Sequence, residues 1–515
     1  MEQQSTKNSQ PKKPLWESYI AGITDRTAGE GYSTIISYFL PELITAFLSW
    51  SLLNCIDSYF IAHLKSTSMY AAQGVSLKLI HTLMKIAEGL SISTIVLCGN
   101  FNGLRRFEDV GRVAVTALWT AIFVGIFLAT VLYFGAHFIL TYFLAVPEQM
   151  VDIAVPFLKL RAIGIFFAFF YFAVIGFLRG IKRPGISMKL FLLGGAVFVL
   201  FDYILVFGKF GFPQLKLQGS AIAAILQYGI MLFGALLYAI FDPACRQYGL
   251  HAFKSFDRTL LIDIFALSWP VIIDKTSLTI AKLWKVRLIA PMGKMVLASF
   301  NVVSDMEQLA FVPGLALAQV ITFLVSNDYG VKNWQSIKNN TKKVIFLTSV
   351  MILSILVIFS LMPTKIISFF DHQGGFTRFA ALAFPLLSTL VIFDVLQLIL
   401  AGALRGAANV KTVMWTRLLV TLTVFMPISY FFAHAPIANP VLKFVLVFGS
   451  YYISNGVMSL VFIYRFREDA WKHSAVAQAN ANMQLKGISK EVYDKNYIPG
   501  NRLPGKDFSH QDKPS

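Results

Sequence analysis

Long, weakly charged apolar runs recur about every 30 to 40 residues along this chain of 515. Each is close to the ~20 residues an α-helix needs to cross the hydrocarbon core of a bilayer. Twelve runs predict twelve transmembrane helices, at about 35–62, 70–98, 110–134, 155–178, 187–207, 219–241, 260–289, 295–325, 343–362, 378–404, 412–433 and 440–465. The expected fold is an all-α membrane protein. The runs also repeat: Gly176-Phe-Leu-Arg-Gly180 closes the fourth, and Gly402-Ala-Leu-Arg-Gly406 closes the tenth 226 positions later. Carrying that frame back without a gap pairs Phe143 with Phe369, Leu160 with Leu386 and Phe167 with Phe393. A second anchor, Pro41 and Pro270, is 229 residues apart. The pattern predicts two pseudo-symmetric six-helix lobes, and duplicated transporters bind substrate where their repeats meet.

Composition agrees with the pattern, since a chain that is 56% hydrophobic and 14% charged belongs in a bilayer. A net charge of +18 would suit a nucleic-acid binder, but the distribution of the charge points elsewhere. Lys and Arg gather in alternate connections: Arg105, Arg106 and Arg112; Arg179, Lys182, Arg183 and Lys189; Arg246, Lys254 and Arg258; Lys332, Lys338, Lys342 and Lys343; Arg405, Lys411 and Arg417; Arg465, Arg467 and Lys472. The positive-inside rule makes these the inner loops, with both termini cytoplasmic and the lobes in the plasma (inner) membrane. The expected layout is a polar N-terminal segment (1–34), an N-lobe (35–245), a linker (246–259), a C-lobe (260–467) and a flexible tail (468–515). The first 34 residues lack a signal-peptide core, so the first membrane helix is expected to direct insertion. Cys55, Cys98 and Cys245 are too widely spaced for a disulfide framework or zinc site and are expected to pack. Without a Walker sequence, nucleophile elbow or metal spacing, neither an enzyme nor ATP-driven transport is expected, and no cofactor beyond a coupling ion.

The stretch Phe393-Asp394-Val-Leu-Gln397-Leu-Ile-Leu-Ala-Gly402-Ala-Leu-Arg405-Gly406 resembles the Asp-x2-Gln-x4-Gly-x-Leu-Arg-Gly pattern of the tenth helix in MATE (multidrug and toxic compound extrusion) transporters. Asp202 to Ala223, with Gly208, Gly211, Pro213 and Gly219, is similar to their junction between helices five and six, and Ile56-Asp57 to the end of their first helix. The likeness spans about residues 35–465. It implies two lobes around a central cavity and alternating access, with entry of H⁺ or Na⁺ driving substrate out. It also implies that Asp57 and Asp202 form an N-lobe coupling site, as in the DinF-like branch, and that Asp394 matches the acid NorM-like members use for a cation in the C-lobe. Two departures stand out: Phe198 where the family often has Asn, and Leu278, with Asp274 one turn earlier, where NorM-like members carry Glu.

Acidic groups at bilayer depth cost ~2.5–3.5 kcal/mol on insertion scales, which makes them functional candidates. The first and fifth helices both run outward, placing Asp57 and Asp202 in the outer half of one lobe. Two carboxylates sharing a low-dielectric pocket repel each other, so one takes up a proton more readily and local packing changes with it, which makes a proton-coupling switch. Asp394 precedes Arg405 by 11 residues, roughly 16 Å of helix from the inner end. Lys78, His81, Lys85 and Glu88 share one face of the second helix, and Asp274, Lys275, Lys282 and Lys285 an arc of about 100° on the seventh. The expected cavity lining is Lys85, Glu88, Asp274, Lys282, Lys285, Asp305 and Gln397, with Gln308 beside Asp305. The competing account has Lys78, Lys282 and Lys285 snorkelling, Lys85 paired with Glu88, and Lys275 with Asp274. Uncompensated lysines would favour anions or zwitterions, and a flippase or exporter of anionic or lipid-linked substrates is the alternative function. Arg179 and Arg405 are expected at headgroups and helix C-termini, the repeat glycines at close helix contacts, and Pro41 and Pro270 at kinks. The expected partners are a small-molecule substrate and the bilayer, without nucleic acid, and the expected state is a monomer.

Overall fold

A computed structural model describes residues 14–143, 146–250, 257–368 and 375–472. The expectations for Phe369, for part of the linker including Lys254, and for the tail beyond 472 lie outside the described residues. Every regular element among them is helical: α1 (Leu15–Thr24), α2 (Tyr32–Phe47), α3 (Leu53–Ala62), α4 (Thr67–Gly103), α5 (Phe107–Phe138), α6 (Glu148–Gly180), α7 (Pro184–Phe207), α8 (Leu217–Phe241), α9 (Pro243–Arg246), α10 (Arg258–Ile289), α11 (Lys294–Gly330), α12 (Trp334–Leu361), α13 (Pro363–Ser368), α14 (Thr377–Ser388), α15 (Val391–Gly406), α16 (Val410–Val420), α17 (Met426–His434) and α18 (Pro440–Arg467). Ten helical spans are individually long and apolar enough to cross a membrane, and α14 with α15 makes an eleventh, bent by 51°. The first apolar run is one helical path from α2 to α3 through a π-turn at Leu48–Leu52. Each of the twelve apolar runs therefore finds a helix.

The breaks have local causes. Between α14 and α15 the Ser388 and Thr389 hydroxyls donate to the carbonyls of Pro385 and Leu386, both at 2.8 Å, and the Leu390 amide turns back to Leu387. Side-chain donors have captured the carbonyls that would have continued the ladder. The bend leaves Asp394 in the first turn of a new helix rather than mid-helix. Neither Pro41 nor Pro270 ends its helix: α10 runs through Pro270, and the π-turn follows Pro41 by several residues.

In the N-terminal half α6 packs on α4, α5 and α8, and α7 on α8, α2 and α3. In the C-terminal half α11 packs on α12, α14 and α15, α18 on α15 and α17, and α10 on α16. The repeated glycines sit at equivalent contacts. A methyl group at Gly176 would lie 2.8 Å from the Ser91 carbonyl oxygen, and one at Gly402 would lie 2.9 Å from that of Ala318. The halves meet where α4 packs on α10 and α11, and α2 on α11. α4 and α11 are each 37 residues long and cross at their ends on the face carrying the basic loops. There a Cβ on Gly103 would sit 2.0 Å from the Asn327 carbonyl oxygen, and one on Gly330 would sit 2.2 Å from that of Asn100. Asn102 Nδ2 donates to Asn327 Oδ1 at 2.8 Å, and Asn327 Nδ2 to the Gly180 carbonyl at 2.9 Å, so the seam is closed by main chain and amides.

The N-terminal segment is more than a polar leader. Helix α1 docks on α12 of the other half, where Lys342 Nζ donates to the Ser18 carbonyl at 2.6 Å. Asn339 donates to Asp25 at 2.7 Å, and Thr27, by hydroxyl and amide, is the main group holding the Asp25 carboxyl below the usual range. Glu30 then joins both halves: its amide donates to Asn340 at 2.7 Å, and its carboxylate is 2.9 Å from Lys182 in the turn between α6 and α7. Of the three cysteines Cys98 and Cys245 pack in the interior, whereas Cys55 is exposed on α3, contrary to expectation.

Candidate functional site

Asp57 is carried by α3, just past the π-turn, and is 2% exposed. Ser220 Oγ donates to Asp57 Oδ1 at 2.7 Å, and an Arg161 nitrogen lies 3.6 Å from the other oxygen. Asp202, on α7, is 0% exposed and within electrostatic reach of both Asp57 and Arg161. Neither of its carboxylate oxygens has a hydrogen-bond partner among the described residues. The structure thus brings the two predicted aspartates together, with one guanidinium within electrostatic reach of both. An ionised carboxylate without donors in such surroundings carries a desolvation penalty of several kcal/mol, which an incoming cation can offset.

The C-terminal half is built differently. Asp274, on α10, is held by Arg405 of α15 at 2.5 Å and by Arg417 of α16, all three side chains being buried. Arg405 therefore does not anchor to headgroups. Its counterpart Arg179 grips Glu42 of α2 through two hydrogen bonds of 2.7 Å in a fork-to-fork ion pair, whereas Arg405 reaches Asp274 through one nitrogen; both repeat arginines thus pin the first span of their own half. Lys275 does not pair with Asp274, because both oxygens of that carboxylate face guanidinium groups; it reaches Glu88 instead. Lys285 does not snorkel: it is 7% exposed, and its ammonium stands 4.3 Å from the Tyr451 ring centroid, 4.4 Å from Phe448 and 5.9 Å from Phe300. Aromatic faces at these distances attract an ammonium group. Glu307 and Asp394 lie within its electrostatic reach, and Asn455 Nδ2 donates to Asp394 Oδ1 at 3.0 Å. Gln397 is buried on α15, its amide nitrogen without a partner among the described residues.

Between the halves, Glu88 of α4 is bonded by Lys85 at 2.6 Å and by Lys275 of α10 at 3.6 Å, all three about one-fifth exposed. On the basic side of this triad the seam is tight. Every residue from Gly89 to Phe101 is buried, and the Ser93 and Ser268 hydroxyls are 2.8 Å apart across it. On the other side Lys78, His81, Lys282, Asp305 and Gln308 are exposed, and Lys282 is within electrostatic reach of Lys85, Asp394 and Asp305. The triad therefore stands where the buried seam gives way to exposed charged side chains. Sequence reasoning missed Glu42, Arg161, Glu307 and the role of Lys275. Arg161 carried a usable signal, being an arginine within an apolar run.

Two helical halves packed tightly on the face of the basic loops, with a charged triad where they meet, define a polytopic membrane protein. The particular family follows from sequence. The MatE family model matches residues 43–204 and again 270–431, two segments offset by 227 residues, and the chain belongs to that family of transporters. It is similar to the probable multidrug resistance protein NorM of Rhizobium meliloti, with 26% identity over 77% of this chain and 85% of that protein. It is also similar to the probable multidrug resistance protein YoeA of Bacillus subtilis, with 20% identity over 88% and 98%. Among solved structures, a MATE transporter in a bent conformation superposes with a TM-score of 0.78 at 20% identity, covering 88% of this chain and 98% of that one. A MOP superfamily transporter from Pyrococcus furiosus, described as having a binding pocket of reverse polarity that suggests a different function, superposes with a TM-score of 0.76 at 20% identity, covering 86% and 96%.

Proposed function

We propose that this protein is a secondary active multidrug exporter of the plasma (inner) membrane, in which inward movement of H⁺ or Na⁺ at the Asp57–Asp202 pocket drives substrate outward by alternating access. The observation that carries this reading is the Asp202 carboxylate, deeply buried without a hydrogen-bond donor among the described residues, beside an aspartate that already has Ser220 and Arg161. A monovalent cation arriving there meets an uncompensated negative charge, and its binding relieves repulsion between α3 and α7. Such relief acts on packing, because α2 continues from α3 through a π-turn and carries Glu42, the partner of Arg179. The basic loops support a cytoplasmic position for the closed face and both termini, so the conformation is read as outward-facing. The names of the relatives support drugs as cargo, and the chain is read as working as a monomer.

The test is export of a fluorescent drug from proteoliposomes under separately imposed H⁺ and Na⁺ gradients. Asp202→Asn and Asp57→Asn are each expected to bring gradient-driven export to the protein-free background while insertion remains normal. Full export by both variants overturns the coupling site, and the gradient that drives the wild type identifies the ion.

A further inference from the structure

The triad Lys85–Glu88–Lys275 holds two ammonium groups against one carboxylate at the seam, with Lys282 exposed nearby and without a salt bridge among the described residues. Lys85 and Glu88 share helix α4 and stay together whatever the halves do. Lys275 comes from the other half, on a helix that touches α4 through Ser268 and Ile272. Opening the closed face separates α4 from α10 and strips Lys275 of Glu88, its one salt-bridge partner among the described residues, while Asp274 beside it remains committed to Arg405 and Arg417. An ammonium left alone at this depth is costly. A ligand that supplies a negative group to Lys275 lowers that cost, and one that binds the open arrangement better shifts the population towards it.

We propose that Lys275, flanked by Lys85 and Lys282, is the recognition point for the negative group of the cargo, and that Glu88 holds its place when no cargo is bound. The cargo class is amphipathic organic anions and zwitterions bearing a carboxylate or sulfonate. The proposal rests on the exporter reading above and names the substrate class for its central cavity. Glu88 serves as an internal surrogate: without cargo it closes the seam, and an incoming anion competes with it for Lys275. Specificity follows from the same arrangement, since a lone organic cation cannot satisfy Lys275.

The experiment is equilibrium binding to the full chain in phosphatidylcholine nanodiscs, with the aromatic carboxylate p-aminohippurate and the cation tetraphenylphosphonium as probes. Saturable binding of p-aminohippurate is expected, at least tenfold weaker in Lys275→Gln, retained in Lys275→Arg and strengthened in Glu88→Gln. Tetraphenylphosphonium binding is expected to be weaker than that of the anion and not reduced in Lys275→Gln. The thermal transition of each variant, followed by tryptophan fluorescence, reports folding separately. Absence of saturable anion binding to the wild type, unchanged anion affinity in well-folded Lys275→Gln, or weaker anion binding in Glu88→Gln would overturn the proposal. Because no ion gradient is imposed, these outcomes do not depend on whether Asp57 and Asp202 couple transport.

Discussion

The two halves share a backbone plan and differ in how they balance charge. Each uses its repeat arginine to hold an acid on its first span, Arg179 with Glu42 and Arg405 with Asp274. Beyond that pair they part. The N-terminal half adds one cation, Arg161, for two acids, Asp57 and Asp202. The C-terminal half adds Arg417 and Lys285 for Glu307 and Asp394. One half is left a positive charge short, while the other is neutral with its own residues. If the proposed coupling site is right, a duplicated scaffold keeps its packing and confines cation uptake to one copy, because packing depends on shape at glycine contacts and uptake on a single uncompensated charge.

The comparison can be broken at its strongest point first. Asp274→Leu strands two buried guanidinium groups, and removing one partner of a buried ion pair typically costs ~3–5 kcal/mol. Yield and thermal stability of the solubilised protein should collapse, and more than in Glu42→Leu, which strands one arginine. Equal losses would remove the asymmetry between the anchors. The glycine seam tests the shared plan, since Gly103→Ala and Gly330→Ala each push a methyl group into a carbonyl of the other half, and overpacking of this kind costs ~1–3 kcal/mol. Both should impair closure of the basic face to a similar degree, read as increased labelling of a cysteine introduced at the seam. Sharply unequal labelling would show that the halves do not close symmetrically.

Lys285→Met removes the resident cation of the C-terminal half at nearly constant volume. The half becomes a positive charge short, as its partner is, so ion dependence of transport should change while the fold survives. An unchanged ion dependence would mean that Lys285 neutralises nothing of consequence. The smallest effect is expected for Glu30→Gln, which removes a half-buried ion pair with Lys182 worth ~1 kcal/mol or less. It should raise amide exchange at the α1–α12 contact without abolishing transport.

Much of this was legible along the chain. The twelve apolar runs, the duplication and the pairing of Asp57 with Asp202 follow from period, spacing and helix direction. Other residues gave less away. Arg405 stands at the end of a helix beside a basic loop, where headgroups are the ordinary partner, and nothing local announces that Asp274 is 131 residues upstream and facing it. Lys275 follows Asp274 directly, yet successive residues on a helix point about 100° apart, so neighbours in sequence found partners in different halves. The bend before Asp394 depends on Ser388 and Thr389 hydroxyls bonding backward, which their identity permits but does not require.

What the sequence determined by itself was the membrane class, the two-lobe repeat and the list of charges that must be satisfied away from lipid, because hydrophobic length and insertion cost are properties of local stretches. Only the tertiary structure decided which charge meets which. Ion pairing inside a bilayer is set by a few ångströms between helices far apart in the chain. Those distances place two guanidinium groups on Asp274, aromatic rings around Lys285, Lys275 on Glu88 and, among the described residues, no donor on Asp202.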